Sequence, residues 1–287
     1  MEQTYAIENY KSFNARDIFE CGQCFRWNEQ EDGSYTGIFG KNVLNVKQEP
    51  EGKIIITGIC DGDIKEVCRK YFDLDRDYEA IKEKLANIDE YMQESIKYGE
   101  GIRILNQDLW EMIISFIISA NNNIPRIKGI IEKISRNYGK KIIYKNKEYY
   151  TFPTIEELSN ASVEDLRALG LGFRDKRVYD TTQMFLKGDM TIEELKSENN
   201  TEKLRERLLT LPGVGPKVAD CIMLFSLKKY DVFPIDVWVR RVMNDLYIHN
   251  IDEEKVSKKE LQKLAKKKYS DLAGLAQQYL FYWKREA

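Results

Sequence analysis

The hydrophobic positions of this chain change period near residue 60. From Ser34 to Cys60, "SYTGIFGKNVLNVKQEPEGKIIITGIC" breaks short β-rich runs with Gly, Asn and Pro-Glu-Gly turn signals. The first sixty residues therefore predict an antiparallel sheet with short connections. From Asp63 onward, "DIKEVCRKYFDL" and "DYEAIKEKLANIDEYMQESIKYG" carry apolar residues at helical spacing. "NQDLWEMIISFIISA" is apolar nearly all round, which predicts a helix buried in a larger bundle. "NIPRIKGIIEKISRNYG" predicts an amphipathic helix ending at Gly139. Three more helices are expected from Thr154 to Leu227. "TIEELSNAS", "SVEDLRALG" and "TIEELKSE" each place an acid three residues after Ser or Thr, an N-cap signature. The segment from Asp236 is helical again.

The fold class is thus α+β: an N-terminal antiparallel β-sheet domain plus an all-helical two-lobed body. The expected division is 1–98 for the β-rich domain with its following helices, and 99–287 for the body. Within the body, 99–120 joins 236–287 in one lobe, and 121–235 forms the other, with a helical hairpin over 205–226.

With 287 residues and 43% hydrophobic content, the chain can build a substantial core. No apolar run reaches the 18 or so residues of a membrane span, and the N-terminus "MEQTYAIENY" is polar and acidic. No targeting segment or membrane partner is expected. The expected location is cytoplasmic, nucleoid-associated in a bacterium. Five scattered cysteines suggest a reducing compartment. Net charge is −2, which taken whole argues against nucleic acid. The average hides a division. Residues 1–100 hold 13 Lys and Arg against 21 Asp and Glu; residues 101–287 hold 32 against 26, a surplus of +6.

That surplus accompanies the chain's most informative stretch, "LPGVGPKVADC" from Leu211 to Cys221. A Gly-x-Gly turn lets backbone amides converge without Cβ obstruction, and Pro216 suits the first position of a helix. The amides of Gly213, Gly215 and Val218 would then face outward at a helix N-terminus, a seat for phosphate. An ordinary tight helix–helix turn would read the same way. Lys217 changes the picture. It sits at the wrong end of the helix dipole for an ammonium, followed by Val218, Ala219, Cys221 and Ile222. Both effects favour a neutral, nucleophilic amine, against the bland reading of a solvated helix lysine. In "VFPIDVWVRR", nineteen residues on, Asp236 reads as an N-cap that could return beside Lys217. A fainter echo of the hairpin lies in "LRALGLGFRDKRV".

These residues resemble the helix-hairpin-helix, glycine/proline-rich loop, aspartate signature of DNA base-excision glycosylases. "CGQCFRW", "SANNNIPRI", "LGLGFRDKRV" and "AQQYLFYW" further resemble, in the same order, segments of the 8-oxoguanine DNA glycosylase family. The resemblance spans nearly the whole chain. It implies a bifunctional glycosylase and AP lyase acting on double-stranded DNA containing 8-oxoguanine, as a monomer and without a cofactor. It implies that Lys217 attacks the anomeric carbon and forms a Schiff base, supported electrostatically by Asp236. Gly22 would accept, through its carbonyl, the ring N–H that distinguishes 8-oxoguanine from guanine. Phe281 and Cys221 would sandwich the base, and Gln277 would bond its pairing edge. Asn121 would fill the vacated stack, and Arg126 and Arg174 would read the widowed cytosine. Base flipping needs such stacking faces, edge-reading polar groups and a wedge.

The chain departs from the animal-type enzymes at two places. Trp238 replaces a histidine near the DNA backbone, and Phe173 replaces a tyrosine that wedges and reads the opposite cytosine. Glycosylases for oxidised pyrimidines carry a C-terminal four-cysteine iron–sulfur cluster; no cysteine follows Cys221. Cys21-x-x-Cys24 lacks a second ligand pair, so no metal is expected. His249 reads as surface, and "KKELQKLAKKK" as a solvated helix face, with a distant role in holding DNA as the secondary reading. Two other classes stand beside this one: a glycosylase for another damaged base, and a non-catalytic helix-hairpin-helix DNA-binding protein. The pairing of Lys217 with Asp236 speaks against the second.

Overall fold

A computed structural model describes residues 1–8, 11–250, 252 and 256–286. Strands β1 (Gln3–Ile7), β2 (Trp27–Glu29), β3 (Tyr35–Phe39), β4 (Asn42–Gln48) and β5 (Ile54–Ile59) form one antiparallel sheet in the order β1-β5-β4-β3-β2. In β5 the alternation is plain: Ile54 and Ile56 are buried while Ile55 and Thr57 are partly exposed. One helix, α1 (Ala15–Glu20), interrupts the region that the sequence reads as β throughout. Asn14 caps it by accepting from the Asp17 amide at 3.1 Å. Its Phe19 stacks on Trp27 with ring centroids 4.0 Å apart, a burial contributing roughly 1.5–3 kcal/mol. Gly37 makes room for that indole: a Cβ there would lie 2.2 Å from the ring.

The rest is mostly helix: α2 (Ile64–Tyr71), α3 (Tyr78–Ala86), α4 (Glu90–Tyr98), α5 (Leu109–Ser119) and α6 (Ile124–Tyr138). After a hairpin of β6 (Lys141–Tyr144) and β7 (Lys147–Tyr150) come α7 (Ile155–Leu158), α8 (Val163–Ala168), α9 (Asp175–Lys187), α10 (Ile192–Ser197) and α11 (Thr201–Leu209). The chain closes with α12 (Pro216–Ser226), α13 (Val237–Met243), α14 (Lys258–Tyr269) and α15 (Ala273–Glu286). The body is therefore not all helix, since β6 and β7 intrude. The run from Tyr78 to Tyr98 is two helices, broken where Asp89 caps α4 on the Met92 amide. Thr154, Ser162 and Thr191 form the three expected capping boxes, but 154–227 holds six helices rather than three. Gly139 does end α6, for a different reason than a left-handed cap. Its φ is −88°, and a Cβ would meet the Thr151 carbonyl at 1.9 Å.

The chain buries two main cores. One holds the sheet with α1 and α2, around Phe19, Trp27, Ile56 and Phe72. The other centres on α5 and α12, and takes in Leu85 of α3, Met92 of α4 and Leu280 of α15. The loop after α1 crosses between them: Cys24 belongs to the first core, Cys21 and Phe25 to the second. Among the described residues, no helix is long and apolar enough to cross a membrane.

Candidate active site

Helices α11 and α12 with the turn between them make the expected hairpin. Gly213 has φ +84°, a left-handed conformation that disfavours any side chain, and a Cβ there would also lie 2.7 Å from Arg177 Cδ. Gly215 is the N-cap of α12, with no side chain bonded to the helix end, and Pro216 opens the first turn. A buried ion pair that the sequence did not reveal ties the two helices: Arg205 Nη2 lies 2.9 Å from Asp220 Oδ1. Burial pushes the Asp220 carboxyl up to about 6, against the pull of Arg205.

Lys217 is half-buried in that first turn, its amine 5.4 Å from the centre of the Phe116 ring of α5. Asp236 caps α13, its Oδ1 accepting from the Val239 amide at 2.8 Å. The two side chains line the same space. A groove of about 720 Å³ runs past Asn121, Lys217, Val218, Asp236, Trp238 and Phe281, with Gly22 at its edge. A deeper recess of about 50 Å³ opens from it, bounded by Gly22, Lys217, Cys221, Asp236, Gln277 and Phe281. Six residues separated by up to 259 positions thus converge on one recess. Gln277 is 5% exposed, and its amide has no hydrogen-bond partner among the described residues. Burial pushes the Cys221 thiol up to about 11, with Lys217 pulling the other way. Cys21 is likewise pushed up to about 11 by burial. All five cysteines are free, and the described residues contain no cluster of metal-ligating side chains.

A second group lies beyond the groove. Asn121 is exposed with φ +52°. Arg126 is exposed, with one contact from Nη2 to the Gly170 carbonyl at 3.3 Å. Phe173 projects into solvent at 56% exposure, flanked by the guanidinium carbons of Arg174 at 4.2 Å and Arg177 at 5.0 Å from its ring centre. Gly170 and Gly172, both at positive φ, make the second Gly-x-Gly turn between α8 and α9. Arg174 differs from the expectation that it stands open to a base. It is 2% exposed, and its guanidinium bonds the carbonyls of Ala120 at 2.6 Å, Asn121 at 2.7 Å and Leu171 at 3.3 Å. Ala120 is the C-cap of α5, and Arg174 supplies donors to its carbonyl and to the turn that follows. Trp238 is 40% exposed at the groove, and His249 is exposed and does not line it.

Phe116, Arg241 and Lys258 also line the groove; of these only Lys258 lies in a run whose secondary reading from the sequence is a role in holding DNA. A phenylalanine in a buried helix looks like any core residue, and the two cations lie in runs of ordinary surface charge.

The chain is similar to known proteins over most of its length. Residues 6–113 match the 8-oxoguanine DNA glycosylase N-terminal domain, and residues 114–267 match the HhH-GPD superfamily of base excision DNA repair proteins. The N-glycosylase/DNA lyase of Saccharomyces cerevisiae is 33% identical over 79% of this chain and 66% of its own length. The probable N-glycosylase/DNA lyase of Methanothermobacter thermautotrophicus is 32% identical over 78% of this chain and 76% of its own. The crystal structure of Clostridium acetobutylicum 8-oxoguanine glycosylase/lyase, in complex with double-stranded DNA containing cytosine opposite 8-oxoG, superimposes with a TM-score of 0.93. It is 44% identical and covers 100% of this chain and 98% of that one. The chain thus belongs to the 8-oxoguanine DNA glycosylase/lyase family of the HhH-GPD superfamily of base excision DNA repair proteins.

Proposed function

We propose that this chain extrudes 8-oxoguanine from duplex DNA, releases it and then cleaves the strand, with Lys217 as nucleophile. The observation that carries the reading is the convergence of Lys217 and Asp236 on a recess that Gly22, Cys221, Gln277 and Phe281 also bound. The Lys217 amine bonds to C1′ as the C1′–N9 bond breaks, and the base leaves carrying the electron pair and a proton. Opening of the sugar ring gives the Schiff base. Loss of the 2′ proton then expels the 3′ phosphate. Asp236 stabilises the positive charge that develops at C1′. Phe281 and Cys221 offer apolar faces to the extruded purine. The unpartnered amide of Gln277 suits its pairing edge, and the Gly22 carbonyl suits its N7–H.

Outside the recess, the uncapped N-terminus of α12 behind Gly213 and Gly215, with the Val218 amide, suits a backbone phosphate. Trp238 flanks the same groove. Asn121, held in its left-handed conformation by Arg174, fills the gap, and Phe173 wedges beside it. Because the Arg174 donors are spent on main chain, Arg126 carries most of the reading of the estranged cytosine. One chain supplies every residue of the recess, so the enzyme works as a monomer. Borohydride trapping on an 8-oxoguanine duplex tests the reading. The parent protein should give a covalent complex, and Lys217→Gln should give none while still binding damaged DNA. Undiminished trapping by Lys217→Gln would refute the assignment.

A further inference from the structure

In the loop after α1, the carbonyls that flank Gly22 are taken by side-chain donors. The Glu20 carbonyl accepts from Arg285 Nη2, the Cys21 carbonyl from Gln278 Nε2 at 2.5 Å, and the Gln23 carbonyl from Gln107 Nε2 at 2.8 Å. Between them, the Gly22 carbonyl has no hydrogen-bond partner among the described residues. Two of the three donors are on α15, seven residues apart and therefore on one helical face. That is the helix that carries Gln277 and Phe281 into the recess. Gln23 itself is fully buried, and its side chain joins the Ile18 and Arg103 carbonyls to the Leu105 amide, fixing the loop from the other side. Gly22 has φ +84°, and a Cβ there would lie 3.2 Å from Arg285 Nη1 and 3.4 Å from Phe281 Cε1. The arginine, the stacking ring and the glycine are thus mutually packed, and the Arg285 guanidinium carbon lies 5.3 Å from the Phe281 ring centre.

We propose that Gln278 and Arg285 are positioning residues for damage recognition: they hold the carbonyls before Gly22 so that its own is left aimed at the base. This rests on the reading that the Gly22 carbonyl accepts the N7–H of 8-oxoguanine. One discriminating hydrogen bond between neutral groups is involved, and its strength depends on where the acceptor points. A loop free to rotate by one peptide would turn an acceptor into a donor and favour guanine instead. Spending three side-chain donors on its neighbours makes that rotation costly.

The test uses the full chain with Arg285→Met, Gln278→Met and Arg285→Lys. Single-turnover excision is measured on duplexes carrying 8-oxoguanine or its N7-methyl derivative, which lacks the N–H. Strand cleavage at a preformed abasic site is measured alongside. Arg285→Met should lower the preference for 8-oxoguanine over the N7-methyl base by about tenfold, the scale of one misaligned hydrogen bond. Abasic-site cleavage should hold at the parent rate, and Arg285→Lys, which keeps a donor, should recover part of the preference. Arg285 is the safer variant because it is partly exposed; Gln278 is buried, and its variant counts only if it melts as a single folded species. A parent-like preference in Arg285→Met would overturn the clamp and leave the Gly22 reading standing. An equal fall in base excision and abasic cleavage would overturn it too, by showing a merely structural role. A parent enzyme that excises both bases equally well would remove the Gly22 reading itself.

Discussion

Asp236 holds two jobs that one substitution can separate. Its Oδ1 accepts from the Val239 amide at 2.8 Å, which caps α13, while its carboxylate shares the recess with Lys217. Asp236→Asn keeps an oxygen at the cap and removes the charge. The structural loss is then only the charge–dipole part, about 0.3–1 kcal/mol, or a shift of at most about 3 °C in melting temperature. If the carboxylate stabilises charge at C1′, the rate should fall by roughly two to four decades, the scale of a lost transition-state interaction. Asp236→Ala is the companion. It loses the cap as well, at about 1 kcal/mol more in stability, yet should be no slower than Asp236→Asn by more than a small factor. The assay is single-turnover release of 8-oxoguanine from a duplex with cytosine opposite, alongside thermal unfolding of each variant. A parent-like rate in Asp236→Asn, with Asp236→Ala slow and unstable, would reduce Asp236 to a cap and sink the electrostatic role.

Arg126→Met should flatten the preference for cytosine opposite the lesion, by about 1–3 kcal/mol of lost discrimination, and Phe173→Tyr should sharpen it. Equal parent rates opposite all four bases would withdraw Arg126 from the estranged base. The two hairpin glycines should behave differently. Gly215 has an ordinary φ of −96° and open space around a would-be Cβ, so Gly215→Ala should leave the melting temperature alone while weakening binding to every duplex. Gly213→Ala must adopt φ +84° and displace Arg177, so it should cost at least about 1–2 kcal/mol in stability. Glu111 lies buried in α5, and burial pushes its carboxyl from 4.5 up to about 7 against the pull of Arg26. A raised carboxyl stabilises the fold below its unfolded value and loses that contribution as pH rises through 7. Glu111→Gln should therefore match the parent near pH 4 and exceed it above pH 7, by on the order of 1–3 kcal/mol. Urea titrations at the two pH values would show it, and parallel curves would refute it.

Local chemistry made much of this protein legible. The capping boxes at Thr154, Ser162 and Thr191 and the hairpin at Gly213 and Gly215 are signals carried within four or five residues. The β6–β7 hairpin was missed because its turn is Lys145-Asn146, both at positive φ, and not a glycine pair; its strands are rich in lysine and tyrosine. Helix α1 was missed because six residues between strands give no period. Arg174 shows a further limit. Its identity marks a cation at the second Gly-x-Gly turn, but which acceptors it reaches depends on where α5 ends, 54 residues earlier. The clamp on the Gly22 loop is hidden for the same reason, since Gln278 meets Cys21 across 257 residues.

The state of the thiols carries a consequence for how long such a protein lasts in use. Guanine is oxidised when peroxide is abundant, and peroxide attacks cysteine as the thiolate. Burial raises every cysteine of this chain above its ordinary range: Cys21 and Cys221 to about 11, Cys68 to about 12, with Cys24 and Cys60 shifted the same way. Near neutral pH the reactive form is therefore scarce, even at Cys221, which faces the recess beside an amine. The sulfur proposed to touch the damaged base is thereby a poor target for the oxidant that damages guanine.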